Sequence, residues 1–249
     1  MRPLVTKLTP SKGFSQILHL VFNLVLPFLV FFFVRMGFVQ LALSLILLSK
    51  WRMFAVRPRF WVANIRANAV DIIIGLSMLA FLVSAASEWL QLVLVGVWAV
   101  WLLVIKPKSS VFWVSLQALI GFAAGLMALF LVWDQGSLLG LTLASGLLCF
   151  FAAHHFFDNF DEPYTRLLSY TWAYFGSALT WVLAHWLLFY GPIAQPTLLL
   201  VTLGFGLGTL YYLDHFDRVT PGLRRQFIFI MVAMVLVVLT FSDWGDKIV

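Results

Sequence analysis

The sequence predicts an all-α protein, a polytopic transmembrane helix bundle of about nine spans with its N-terminus in the cytoplasm. Three observations predict it. Of 249 residues, 63% are hydrophobic and only 10% charged, against about 45–50% apolar and roughly 25% charged in a soluble domain. Lipid must therefore be the solvent for much of the chain. Apolar runs of nearly the length a bilayer demands, about 20 residues, recur along it. The basic residues fall on one side of those runs.

The runs are Phe14–Val34, Gly37–Ser49, Val70–Ala86, Trp89–Ile105, Val111–Trp133, Leu138–Phe157, Leu167–Tyr190, Thr197–Leu213 and Phe227–Phe241. Arg2, Lys7 and Lys12 precede the first run in the manner of a signal peptide. That run exceeds a signal core of about 7–15 residues. It also ends at Arg35 without a small-x-small cleavage pattern, so it reads as an uncleaved span. The second run is short, and Lys50 and Arg52 can extend it by snorkelling. Fusing the first two would give one helix of about 36 residues, ~54 Å long, too long to cross once. With the N-terminus inside, nine spans leave only Arg35 and Lys247 outside among the lysines and arginines. This is the bias of the positive-inside rule. The C-terminus is then external. Eight spans with both termini outside would put Arg35 in lipid.

The net charge of +6 reads as cytoplasmic anchoring on anionic headgroups rather than nucleic-acid binding. The longest inner loop, KWRMFAVRPRFWVANIRANA, interleaves aromatics with Lys50, Arg52, Arg57, Arg59 and Arg66. It reads as an interfacial segment, or as a basic mouth for an anionic lipid or phosphate. The single cysteine, Cys149, lies in an apolar run and excludes an intrachain disulfide.

Small residues at four-residue spacing let helices approach closely in lipid. Gly121/Gly125, Gly140/Ala144 and Gly204/Gly208 have that spacing. The Gly204–Gly206–Gly208 stretch also suits a broken, substrate-lining helix. Pro27 is expected to kink the first span. Intramembrane polar residues are functional hypotheses by default. Here they are His19, Asn23, Gln117 and His185, and interhelical hydrogen bonds are the plainer reading.

One acidic pattern stands out. FFDNFDEP ends the sixth run and YLDHFDRV ends the eighth, so D-x-F-D recurs at Asp158/Asp161 and Asp214/Asp217. The surroundings read as a repeated hairpin over residues 138–190 and 197–241. Acids at helix C-termini oppose the macrodipole. If the sixth helix ran on, His154, Asp158 and Asp161 would share one face, with Asp214 and Asp217 on the other helix. Two carboxylate pairs suit Mg²⁺ and a substrate phosphate. The alternative is capping: Asp161 before Pro163, and Asp217 or Thr220 before Pro221.

Nine spans with two cytoplasmic aspartate motifs are similar in outline to the UbiA-type membrane prenyltransferases. The chain departs from them after its second span, where KWRMFAVRPRF carries no carboxylate before Asp71. Only Asp158 and Asp161 stand where that family's second motif would. KWRMFAVRPRFWVANIRANAVD with the D-x-F-D pair resembles uncharacterised polytopic membrane proteins of reduced-genome, candidate-phylum bacteria, which implies no activity. No His-x-x-Glu-His or Gly-x-Ser-x-Gly set is present. The reading is therefore a multi-pass inner-membrane protein with a non-enzymatic role such as small-solute or ion transport. It needs no cofactor, and Mg²⁺ belongs to the enzyme alternative. That alternative is an enzyme acting on a lipid phosphate or diphosphate. A third class is a structural or assembly subunit with a membrane-protein partner or a second copy of itself.

Overall fold

The computed structural model describes residues 14–133, 137–185, 189–190 and 193–242; for residues 14–20, 22, 52 and 189–190 it describes the backbone alone. Ten α-helices follow in order: α1 (Phe14–Arg35), α2 (Val39–Leu48), α3 (Trp61–Ala67), α4 (Ala69–Ser84), α5 (Glu88–Val100), α6 (Val111–Val132), α7 (Leu138–Asp158), α8 (Thr165–Ala184), α9 (Gln195–His215) and α10 (Pro221–Phe241). Phe189–Tyr190 and Ile193–Ala194 (β1 and β2) make one short antiparallel pair between α8 and α9. Arg2, Lys7, Lys12 and Lys247 lie outside the described residues.

Local chemistry explains the helix starts. Ser87, Ser137 and Thr220 each accept a backbone N–H from three residues on, at 3.1–3.2 Å, satisfying one orphan donor of the first turn. Thr220 is thus the cap that opens α10. Gly37 turns the chain between α1 and α2 at φ +80, a conformation glycine adopts without steric cost. After Val100, α5 loosens into one π turn, Trp101–Ile105.

Among the described residues, five helices are long and apolar enough to cross a membrane: α5 with its π turn, α6, α7, α9 and α10. The short α3 meets α4 at a 64° bend, so the basic loop ends in a helix lying across the bundle's end. At ten residues, α2 is only ~15 Å long. α8 carries Ser, Thr and Tyr among its apolar residues.

One core gathers Val30, Ile46, Ile74, Leu82, Val95 and Trp98 from α1, α2, α4 and α5. A second gathers Phe122, Leu126, Leu141, Cys149 and Leu200 from α6, α7 and α9, with Ala184 of α8. α4 joins the two by packing against α6 and α7, where a Cβ on Gly121 would meet Val70 at 2.8 Å and one on Gly125 would meet Ile73 at 2.7 Å. The Gly121/Gly125 spacing is thus a helix seam. Gly140 faces Trp133 rather than a neighbouring span. The small residues on the α7–α8 seam are Gly146 and Gly176, set against Ser177 and Cys149. α9 runs unbroken through its glycines. Gly206 receives Met231 of α10, while Gly204 and Gly208 turn the other way, toward Phe122 and Phe156.

Candidate functional site

The loops after α2, α5, α7 and α9 meet at one end of the bundle. Lys50 and Lys106 converge on Asp71, Arg66 reaches His154, Asn159 reaches the Val111 carbonyl, and Tyr211 reaches Glu162. Every lysine and arginine of the described residues except Arg35 lies in a segment at this end. Arg35 pairs with Glu88 at the far end, 3.1 Å away.

Asp71 begins α4 and is nearly buried, with its side chain 13% exposed. One of its oxygens accepts from Lys50, itself 12% exposed, and from Lys106 at 2.7 Å. One carboxylate therefore serves two ammonium groups. Burial pulls Lys50 below the usual lysine range, against the upward pull of Asp71. The five basic loop residues thus divide. Lys50 and Arg66 turn into the bundle, whereas Arg57 and Arg59 are exposed, Arg59 lying over the Phe60 ring at 4.6 Å. The Arg52 side chain lies outside the described residues.

Beside this cluster a polar cleft of about 570 Å³ opens between α3 and the α7–α8 hairpin. Arg66, His154, Asp158, Glu162 and Arg166 stand on its wall. An Arg66 N–H meets His154 Nε2 at 3.2 Å. Arginine is always a donor, so this nitrogen must be the unprotonated one. The lone pair a metal would take from His154 is then already engaged.

The metal reading required His154, Asp158 and Asp161 on one continuing helix face, and the helix does not continue. α7 ends at Asp158, and Asp161 adopts a left-handed conformation at φ 52. α9 ends at His215, and Asp217 is left-handed at φ 52 as well. The amide of Asp217 donates to the Asp214 carbonyl and that of Arg218 to the Leu213 carbonyl, both at 2.9 Å. This is a Schellman helix stop with aspartate in the usual glycine position. In the first motif the Asp161 amide makes the matching bond to Asp158 at 3.4 Å. The proposed capping roles shift accordingly: Asp161 and Asp217 end the preceding helices rather than starting the next. All four aspartates are exposed, and Asp214 pairs at the surface with Arg224 at 3.4 Å. Among the described residues, no group of three His, Cys, Asp or Glu side chains could hold a metal ion.

The helix-stop reading predicts that Asp217→Gly leaves the fold intact. It should raise stability by roughly 1 kcal/mol, because an L-residue is strained in this conformation. Thermal unfolding with and without Mg²⁺ checks it: a ligand role would instead show as a lost Mg²⁺-dependent gain.

What the motifs do bring together is aromatic. Phe160 is 8% exposed and wedges between the two helix ends, its ring centroid 5.1 Å from Phe156, 5.2 Å from Tyr211 and 4.9 Å from His215. Above this wedge a second, apolar cleft of about 330 Å³ runs among α6, α7, α8 and α9, bounded by Ala118, Phe122, Ala153, Trp172, Gly208 and Tyr211. Missing side chains at Gly204 and Gly208 make part of this space. One hydrogen bond links the walls of the two clefts: Tyr211 walls the apolar cleft and donates to Glu162, which walls the polar one.

The chain matches no known family model, no curated protein and no solved structure. The clefts and the charge cluster are therefore what bears on function.

Gln117 and His185 have structural work. Gln117 donates to the Ile105 and Lys108 carbonyls at 2.7 and 3.0 Å, which closes the open end of the π turn. His185 ends α8 and its Nδ1 lies 2.6 Å from the Trp181 carbonyl. Asn23 is half-buried on α1, and the His19 side chain lies outside the described residues. Neither Gln117 nor His185 lines either cleft. Asp71, Lys106, Glu162 and Tyr211 are the residues that sequence reasoning missed. Asp71 carried a usable signal: a lone acid opening an apolar run requires a partner.

Proposed function

We propose that this chain is a multi-pass inner-membrane protein with a non-enzymatic role, the passage of a small solute that enters from its basic end. The observation that carries the reading is the Glu162–Tyr211 hydrogen bond, which links the wall of a polar cleft to that of an apolar one. In this reading a solute resting in the polar cleft displaces that pair to reach the interior of α6–α9. Exposed aspartates, one of each motif serving as a helix stop, argue against the alternative of an enzyme using Mg²⁺ at the two D-x-F-D motifs on a lipid phosphate or diphosphate. In this reading the chain crosses nine times. α1, α2, α4 and α8 join the five spans named above, with Lys50 and Arg52 helping α2 reach the interface. The basic end faces the cytoplasm, the N-terminus with it, and the C-terminus is external. Arg57 and Arg59 rest on anionic headgroups.

Cysteine accessibility tests the pathway. Ala118 is 2% exposed and lines the apolar cleft; Leu147 is 58% exposed on the outside of α7. In a Cys149→Ala background, Ala118→Cys should react with a small charged thiol reagent supplied from the basic side. Leu147→Cys, facing lipid, should not. Tyr211→Phe should speed the Ala118→Cys reaction several-fold by releasing Glu162. An Ala118→Cys that stays unreactive in both backgrounds would remove the pathway.

A further inference from the structure

We infer that the paired clefts take a single-chain amphiphile with a phosphate head, the head at Arg66 and Arg166 and the chain in the apolar cleft. The inference rests on the pathway reading above and supplies its substrate class. The head assignment comes from unneutralised charge. Arg66 and Arg166 stand on the wall of the polar cleft, and among the described residues neither forms an ion pair. Acids stand nearby, yet Glu162 is engaged by Tyr211 and by the Tyr164 amide at 3.4 Å, and Asp158 is exposed. Arg66 is half-buried and held by His154 at 3.2 Å, so one edge of its guanidinium is fixed while other N–H groups remain. A planar, pre-positioned guanidinium suits a phosphate better than a flexible ammonium does.

The chain assignment comes from the second cleft. Its walls are aromatic, aliphatic or glycine, with Thr171, the Tyr211 hydroxyl and the Trp172 indole N–H as the side-chain polar groups. The Thr171 hydroxyl is spent on the Leu167 carbonyl, and the tyrosine's on Glu162. A space so poor in polar partners does not suit ordered water, which needs two to four of them. It suits methylene groups. Because Tyr211 on the wall of one cleft bonds Glu162 on the wall of the other, a molecule occupying both would lie along that pair, its head beside the residues that lack counter-ions.

The test is a calorimetric titration of full-length protein in amphipol with inorganic phosphate and with octyl, decyl and dodecyl phosphate. Dodecyl maltoside serves as an uncharged control. Affinity should rise about fourfold per methylene, the value of a buried CH₂. Arg66→Gln and Arg166→Gln should each weaken every alkyl phosphate about tenfold, as expected for a lost charge-assisted bond, and leave the maltoside unchanged. Gly208→Leu should abolish the chain-length dependence. Gly208→Ala should keep it, because a Cβ there meets only Leu119 and Phe156, at 3.5 Å or more. Inorganic phosphate binding as tightly as dodecyl phosphate would reduce the site to a free-phosphate site and overturn the amphiphile. A chain-length slope unaltered in Gly208→Leu, or alkyl phosphates indifferent to both arginines, would also overturn it. An accessible Ala118→Cys alongside any of these failures would leave the pathway standing and remove only the substrate class.

Discussion

Asp71→Asn is expected to be the most destabilising single substitution at the charged end. The variant keeps two ammonium groups converging on a site from which their only shared counter-charge has gone. Breaking a buried ion pair by removing one partner costs about 3–5 kcal/mol. Lys106 is 37% exposed and can turn to water, so about 3 kcal/mol is the expected loss. That is roughly 6–12 °C in the unfolding midpoint by the scaling for chains of this size. Lys50 cannot escape as easily, being 12% exposed. The double variant Lys50→Met/Asp71→Asn should recover more than half of the loss, since only the more exposed lysine remains.

The same cluster sets a pH dependence. Burial already lowers Lys50 below its ordinary 10.5, so the unfolded chain holds this proton to higher pH than the folded chain does. Between the folded value and 10.5, stability therefore rises with pH. Without Asp71 the folded value falls further and the window widens downward. The unfolding midpoint of Asp71→Asn should climb more steeply than that of the wild type from neutral pH toward pH 10. Equal slopes would show that Lys50 is solvated in the variant.

Gly176→Ala is expected to be among the most costly of the added methyl groups. α7 and α8 share a close seam in which a Cβ at Gly176 would stand 2.3 Å from Cys149 Sγ, and one at Gly146 would stand 2.1 Å from Ser177 Oγ. Across the same seam, Ser145 Oγ bonds Thr180 Oγ1 at 3.0 Å, so the helices cannot separate without losing a buried hydrogen bond. Overpacking of this kind costs about 1–3 kcal/mol, and the upper end is expected. Cys149→Ala removes the sulfur that the new methyl strikes. Cys149→Ala/Gly176→Ala should then be more stable than Gly176→Ala alone, a favourable coupling readable in a double-mutant cycle. Additive losses would mean that the helices part rather than the sulfur moves.

Much of the helical plan was legible because the bilayer imposes it. Apolar runs over residues 111–133, 138–157 and 197–213 became α6, α7 and α9 within a residue or two at most ends. Bilayer thickness and polar turns constrain such ends tightly. The second run was harder, because Gly37 and Phe38 belong to the turn and only Val39–Leu48 is helical. The candidate site was less legible. Asp158, Asp161, Asp214 and Asp217 drew notice as carboxylates, yet the second aspartate of each motif acts through its backbone. Sequence spacing does not reveal a positive φ when the residue is not glycine. Arg66 and His154 lie 88 positions apart, and Tyr211 and Glu162 lie 49 apart. Only helix packing brings such pairs together. Asp71 was also missed, although an acid at the edge of an apolar run implies a cation nearby even when the sequence does not say which.

The direction of passage proposed for the clefts depends on which side of the membrane the basic end faces. Two single cysteines in the Cys149→Ala background decide it: Asp161→Cys at the basic end and Glu88→Cys at the far end. A membrane-impermeant maleimide applied to intact bacterial cells should label Glu88→Cys at once and Asp161→Cys only after permeabilisation. Labelling of Asp161→Cys in intact cells, or of both positions from the same side, would contradict the account.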